Sequence, residues 1–150
     1  MASIGEEIKQ KTFRNEYSKL AINLLYTCSW LNTQQNKLFK QYGLTHQQYN
    51  CLRILRGQHP GTASVNLLKD RMIDKMSNVS RIIDKLKAKD LVTRKLCKHD
   101  RRQVDIKITQ KGLELLAIID TKLLEWEGDL HNLNVEEAST VNNLLDKLRG

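Results

Sequence analysis

Apolar residues near the start of the chain recur at helical steps. Tyr17, Leu20, Ala21, Leu24, Leu25, Cys28 and Leu31 fall on three- and four-residue spacings, the period of a helix with one buried face. The pattern predicts a helix from about Glu6 to Gln41, longer than one small domain needs to cover its core. Length of that kind more often serves a partner chain. Gly43 ends it, and Thr45 caps a second helix to about Arg56, with Leu52 and Leu55 inward and Gly57 as its stop. His59-Pro60-Gly61 reads as a turn. Asn66 then caps a short helix through Met72, and Asp74 caps another to about Lys89. Val79, Ile82, Ile83 and Leu86 form the inward stripe of that last helix.

Beyond Leu91 the period shortens. Val104, Ile106 and Ile108 alternate with Gln103, Asp105 and Lys107, the signature of a half-buried strand. It pairs with Leu91–Cys97 across the charged tip Lys98-His99-Asp100-Arg101-Arg102. Thr109 caps a further long helix to about Leu130, and Val135–Leu148 forms the final one. The fold class is therefore mainly α with a small β-hairpin wing, a winged helix-turn-helix in α+β terms. Residues 44–108 make the winged unit, and 1–43 with 109–150 supply long flanking helices in one intertwined domain.

Charge sharpens this picture. The 150 residues carry a formal net charge of +8. Between Lys69 and Arg102 lie twelve Lys/Arg against five Asp/Glu, which places +7 on the helix-turn-helix and wing. Basic charge concentrated on one supersecondary unit is the footprint of a polyanion-binding surface. Eight Asp/Glu fall between Leu113 and Asp146, so the last two helices should face away from DNA. Aromatic residues are 5% of the chain, too few for the stacking platforms of common single-strand and RNA readers.

An enzyme is not expected. His46, His59, His99 and His131 lie on separate elements without metal-ligand spacing, and there is no Gly-rich phosphate loop, GxSxG or HExxH. No cofactor or metal is implied. Cys28, Cys51 and Cys97 form no CxxC pair, which argues for a reducing compartment. No run of about 18 apolar residues predicts a membrane span, and Met1–Arg14 lacks the apolar centre of a secretory signal. The expected location is the cytoplasm.

A short helix followed by a second places the second in the major groove, which admits one α-helix. With Val79, Ile83 and Leu86 inward, the opposite side carries Ser77, Asn78, Ser80, Arg81 and Lys85, with Lys75 at the start. Arg can make two bonds to guanine and Asn two to adenine. On the wing, Lys95, Lys98, His99, Arg101 and Arg102 cluster with only Asp100 opposing them. Narrow minor grooves attract inserted arginines, and Asp100 is placed to orient one by a charge-assisted bond.

The stretches LTHQQYNCLRIL (Leu44–Leu55), LLKDRMIDKMSNVSRIIDKLKAKDLVTR (Leu67–Arg94) and DRRQVDIKIT (Asp100–Thr109), with the following QKG, resemble the multiple-antibiotic-resistance regulator (MarR) family of winged-helix transcription factors. The resemblance implies a homodimer paired through the N-terminal and last two helices, reading an inverted-repeat operator in double-stranded DNA. It places Ser77, Asn78, Ser80 and Arg81 on the recognition helix, Arg102 on the minor-groove arginine and Asp100 on its orienting carboxylate. It further implies repression of nearby genes, relieved by a small aromatic or anionic effector between the dimer helices and the winged unit. Tyr26, Trp30 and Tyr49 are the aromatic candidates for that site. Two alternatives stay open: redox control through Cys97, which adjoins Lys95, Lys98 and His99, and a winged helix used for protein or RNA binding. Cys28 and Cys51 read as packed thiols.

Overall fold

The computed structural model describes residues 2–96 and 104–150. Its elements in chain order are α1 (Ile4–Glu7), α2 (Glu16–Gln41), α3 (His46–Gln58), α4 (Val65–Arg71), α5 (Val79–Ala88), β1 (Val92–Leu96), β2 (Val104–Ile108), α6 (Gln110–Glu127) and α7 (Val135–Arg149). A 3₁₀ turn, Gly128–Leu130, extends α6 to the expected end.

Several boundaries differ from the sequence pattern, each for a local reason. The first helix does not run unbroken from Glu6. Lys9 adopts φ 57°, and α2 starts afresh at Asn15, whose Oδ1 accepts from Ser18 N at 2.8 Å. Helix α3 passes through Gly57 and stops at His59, because the residue before Pro60 is pushed to extended backbone. Ser64, not Asn66, caps α4 by accepting from Leu67 N at 3.1 Å. Asn78, not Asp74, caps α5. Asp74 instead closes a turn: its Oδ1 accepts from Met76 N at 3.0 Å and its carbonyl from Ser77 N at 3.2 Å.

Other signals form as expected. Thr45 makes a reciprocal cap with Gln48, each amide bonded to the other's side chain at 3.2 Å. Gly43 ends α2 at φ 67°, the left-handed region that glycine enters without steric cost. The wing pairs antiparallel in the register Val92↔Ile108, Arg94↔Ile106 and Leu96↔Val104. Its base is tied to the winged unit by two backbone bonds between Ala63 and Ile106, 2.8 and 2.9 Å, which the alternation did not reveal.

The core lies inside the winged unit and against α6. Phe39, Leu52, Leu68, Ile83, Leu86, Ile106, Leu116 and Ile119 are fully buried there. Thr109 and Gly112 lock α6 to the unit. Thr109 Oγ1 accepts from Gly112 N and donates to the Asp90 carbonyl at 2.8 Å. A Cβ at Gly112 would lie 2.6 Å from the Leu91 carbonyl oxygen, so the close helix approach requires glycine.

The long helices tell a different story. The apolar stripe of α2 is not buried in the single chain: Tyr17 is 83% and Leu25 73% exposed, and Phe39 alone of α2 is fully buried. Helix α7 buries no residue, and Leu124 of α6 is 70% exposed. Cys28 is exposed on α2, against the expectation of a packed thiol, because the stripe beside it has no covering element. Cys51 is packed as expected, and burial pushes its thiol up to about 12. Among the described residues no helix is long and apolar enough to cross a membrane.

Candidate nucleic-acid interface

Helix α5 is amphipathic in the sense its sequence demands. Val79, Ile83 and Leu86 are buried to within 1%, which turns Ser80, Arg81, Asp84, Lys85 and Lys87 outward. Of the residues expected on this helix, Ser80, Arg81 and Lys85 lie on it. Lys75, Ser77 and Asn78 do not; they belong to the turn before it, because the helix starts four residues later than Asp74 capping would place it.

That shift changes what each side chain can do. Asn78 Oδ1 accepts from Arg81 N at 3.1 Å, which commits one of its lone pairs and leaves its amide N–H groups for an outside partner. Lys75 Nζ folds back on the Asp70 carbonyl at 2.5 Å. Ser77 Oγ is buried with no hydrogen-bond partner among the described residues. Arg81 and Lys85 border a groove of about 460 Å³ whose opposite wall is the start of α3, including Thr45 and Gln47. Gln47 was passed over in the sequence, where nothing marks it as neighbour to a helix more than thirty residues on.

On the wing, Lys95 extends from β1 and is exposed. Arg94 of the same strand reaches Asp84 of α5 at 3.1 Å, the described ion pair that joins wing to helix. It neutralises the one acidic side chain on the exposed face of α5, leaving that face cationic through Arg81, Lys85 and Lys87. Cys97, Lys98, His99, Asp100, Arg101 and Arg102 lie outside the described residues.

A second cavity, about 340 Å³, opens on the other side of α3. Tyr49 lines it, with His46, Asn50, Arg53 and Arg56 from the same helix, Ile73 from the α4–α5 turn, and Asp120 and Trp126 from α6. Tyr26 and Trp30 are not part of it: the Tyr26 hydroxyl donates to Glu7 Oε2 at 2.8 Å, and Trp30 is exposed on α2. The His46–Tyr49–Asn50–Arg53 spacing of three, four and seven was a readable signal for one helix face. Trp126 and Asp120 reach it only through tertiary packing.

The chemistry of this cavity is mixed and directional. Arg56 holds Asp120 with two bonds, 2.5 and 3.3 Å, so its charge is matched. Arg53 sits 6.0 Å from the centroid of the Tyr49 ring, a cation over an aromatic face. Trp126 Nε1 is buried with no acceptor among the described residues. Burial lowers His46 below its ordinary value, with Asp74 opposing that shift, and burial raises Tyr49. No cluster of His, Cys, Asp and Glu among the described residues could hold a metal.

Comparison with known proteins agrees with this architecture. Residues 42–103 match the MarR family profile. The chain is 28% identical over 131 residues to the HTH-type transcriptional regulator MhqR of Bacillus subtilis, covering 87% of this chain and 89% of that protein. Among solved structures, a MarR-like transcription regulator from Bacillus cereus superposes with TM-score 0.80 at 21% identity, covering 89% of this chain and 96% of that one. The S. aureus MepR–DNA complex superposes with TM-score 0.76 at 20% identity, covering 91% and 96%.

Proposed function

We propose that the chain is a regulator of the MarR type, a homodimer that reads an inverted-repeat operator in double-stranded DNA and represses nearby genes; the family match over residues 42–103 and the 28% identity to MhqR support this. The observation that carries this is the outward face of α5. Ser80, Arg81 and Lys85 project from a helix whose other side is fully buried, on a segment of net charge +7. That face is narrow enough for a major groove. Lys75, Ser77 and Asn78 would flank it from the turn, and Lys95, Lys98, Arg101 and Arg102, with Asp100 orienting an arginine, would reach the adjoining minor groove. The fold it shares with MepR, a protein solved on DNA, supports the same docking.

Residues 1–43 and 109–150 would pair two copies. The unburied apolar residues of α2, α6 and α7, such as Leu25, Leu124 and Leu144, support a partner of the same kind. Two reading heads then meet half-sites about one helical turn apart. The 340 Å³ cavity is the site we assign to an effector. Arg53 and the free indole N–H of Trp126 suit an aromatic anion, with Tyr49 as its apolar wall.

The test is binding of the purified protein to duplexes selected from a random library, measured over a range of salt. The expected result is a selected palindrome held far more tightly than a scrambled duplex, with affinity falling steeply as salt rises. Equal affinity for both duplexes at every salt concentration would refute sequence reading.

A further inference from the structure

The six residues between the buried Met72 and the start of α5 have one end in each cavity. Ile73 lines the 340 Å³ cavity, while Asp74, Met76, Ser77 and Asn78 line the 460 Å³ groove beside α5. What holds the first end is a side chain from another helix. Asn50 of α3 is 7% exposed, and its Oδ1 accepts from Ile73 N at 3.0 Å, a bond spanning 23 residues. Asn78 holds the other end by capping α5. Between them Asp74 closes the turn, through its side chain and carbonyl.

An amide sits oddly in that stretch of α3. Its neighbours Tyr49, Cys51 and Leu52 are all buried, and burying a polar group without a bond is costly. Met72 anchors the chain in the core, but the Ile73 side chain is 70% exposed. The Asn50 bond is therefore the described side-chain contact that fixes the direction in which the backbone leaves Met72. That direction sets where the turn of Asp74 closes and where α5 begins.

We propose that Asn50 is the positioning residue for the DNA-reading helix, and that through Ile73 it ties the start of that helix to the wall of the effector cavity. Asn50 does not touch DNA; it acts through the turn that carries Ser77 and Asn78 and leads into Arg81. The proposal rests on the DNA-reading assignment above, and its test separates the two. A ligand that competes for the Asn50 amide, or pushes on Ile73, would work directly on the reading turn.

The experiment compares wild type with Asn50→Leu, of similar volume but no acceptor, and Asn50→Asp, which keeps one. Amide hydrogen exchange is measured at Ile73 through Arg81 without DNA. Affinity is then measured for the duplex that wild type selects and for its scrambled counterpart. Asn50→Leu is expected to speed exchange across Ile73–Ser77 at least tenfold and to weaken the selected duplex about tenfold, with the scrambled duplex changed less than about twofold. Asn50→Asp is expected to restore both within about threefold. The proposal is overturned if Asn50→Leu leaves exchange and selected-duplex affinity unchanged, or weakens both duplexes equally. It is equally overturned if Asn50→Asp behaves as Asn50→Leu does. A wild type with no duplex preference refutes the DNA reading instead, and the exchange measurement still decides whether Asn50 holds the turn.

Discussion

Replacing Gly112 by alanine tests the packing of the wing base by its sign. Gly112 lies in the first turn of α6, where helix propensity alone favours alanine by up to about 1 kcal/mol. The structure predicts the opposite. A Cβ there would sit 2.6 Å from the Leu91 carbonyl oxygen and 2.7 Å from Ile108 Cγ1, so an ordinary 3.4 Å contact requires about 0.8 Å of retreat. Neither neighbour can retreat freely. The Leu91 carbonyl accepts from Thr109 N at 3.0 Å, and Leu91 N donates to the Leu86 carbonyl at 3.0 Å. Ile108 is 3% exposed and packed in the core.

A clash with a hydrogen-bonded backbone carbonyl falls in the upper part of the overpacking range, about 2–3 kcal/mol, so after a propensity gain of up to about 1 kcal/mol the net loss should be about 1–2 kcal/mol, or about 2–8 °C in Tm for a chain of this length. Thermal and urea unfolding followed by far-UV circular dichroism, at one fixed protein concentration, provide the measurement. Leu91 leads into β1 and Ile108 ends β2, so operator affinity should fall as the wing base shifts. A Gly112→Ala protein as stable as wild type, or more stable, refutes the claim that α6 must touch the Leu91 carbonyl.

Four further outcomes are expected. Arg81→Ala should cost about 1–3 kcal/mol in operator affinity and flatten base preference at one position per half-site; a uniform loss across sequences would make it a phosphate contact. Burial holds His46 below 6.5, so the unfolded chain takes up that proton more readily. The stability this contributes is present above about pH 6.5 and lost as pH falls toward the lowered folded value; His46→Gln should flatten that slope in pH-dependent urea unfolding. Because the Cys51 thiol is pushed up to about 12, Cys51→Ser should leave the native thiol titre at pH 8 unchanged and remove one thiol only after urea unfolding. Leu25→Asp should halve the mass in sedimentation equilibrium at micromolar protein; an unchanged mass would exclude that part of α2 from the interface.

How much of this was visible in the residues depends on whether the signal was local. The Thr45 and Thr109 caps, the Val79–Ile83–Leu86 stripe and the alternating strand each rest on a handful of neighbouring positions, and each forms. The start of α5 was misplaced because two good caps, Asp74 and Asn78, stand four residues apart. The bond of Asp74 to Met76 N resolves that competition. The α2 stripe was legible as a face, but its cover is absent from the chain itself. The 340 Å³ cavity was half legible: α3 carries a readable polar face, while Asp120 and Trp126 join it from some seventy residues away. Gln47 entered the groove the same way, through contact between distant segments.

Helix α5 is tied to the junction of α2 and α3 at its far end, and the turn that leads into it is tied to α3, which constrains how a ligand can act. At its far end Lys89 Nζ donates to the Gly43 carbonyl and, at 3.3 Å, to Gln48 Oε1. That places one ammonium at the carboxyl ends of α2 and α5, where helix dipoles favour a cation. Ahead of its near end, across the turn that ends at the Asn78 cap, Asn50 holds Ile73. A tilt of α5 relative to α3 would strain one or both of these contacts. On the function proposed above, a ligand in the 340 Å³ cavity would have two routes to the DNA: prying α3 from α6, where the Arg56–Asp120 pair now holds them, or disturbing the Asn50 contact. Either route weakens the operator only by the ligand's differential affinity for the two arrangements. A hundredfold loss requires about 2.7 kcal/mol. Breaking the half-exposed Arg56–Asp120 pair costs up to about 1 kcal/mol, which the ligand must supply in addition. Both amounts must come from contacts the ligand makes only in the displaced state, and Arg53 and the indole N–H of Trp126, which has no acceptor among the described residues, are donors on the cavity wall.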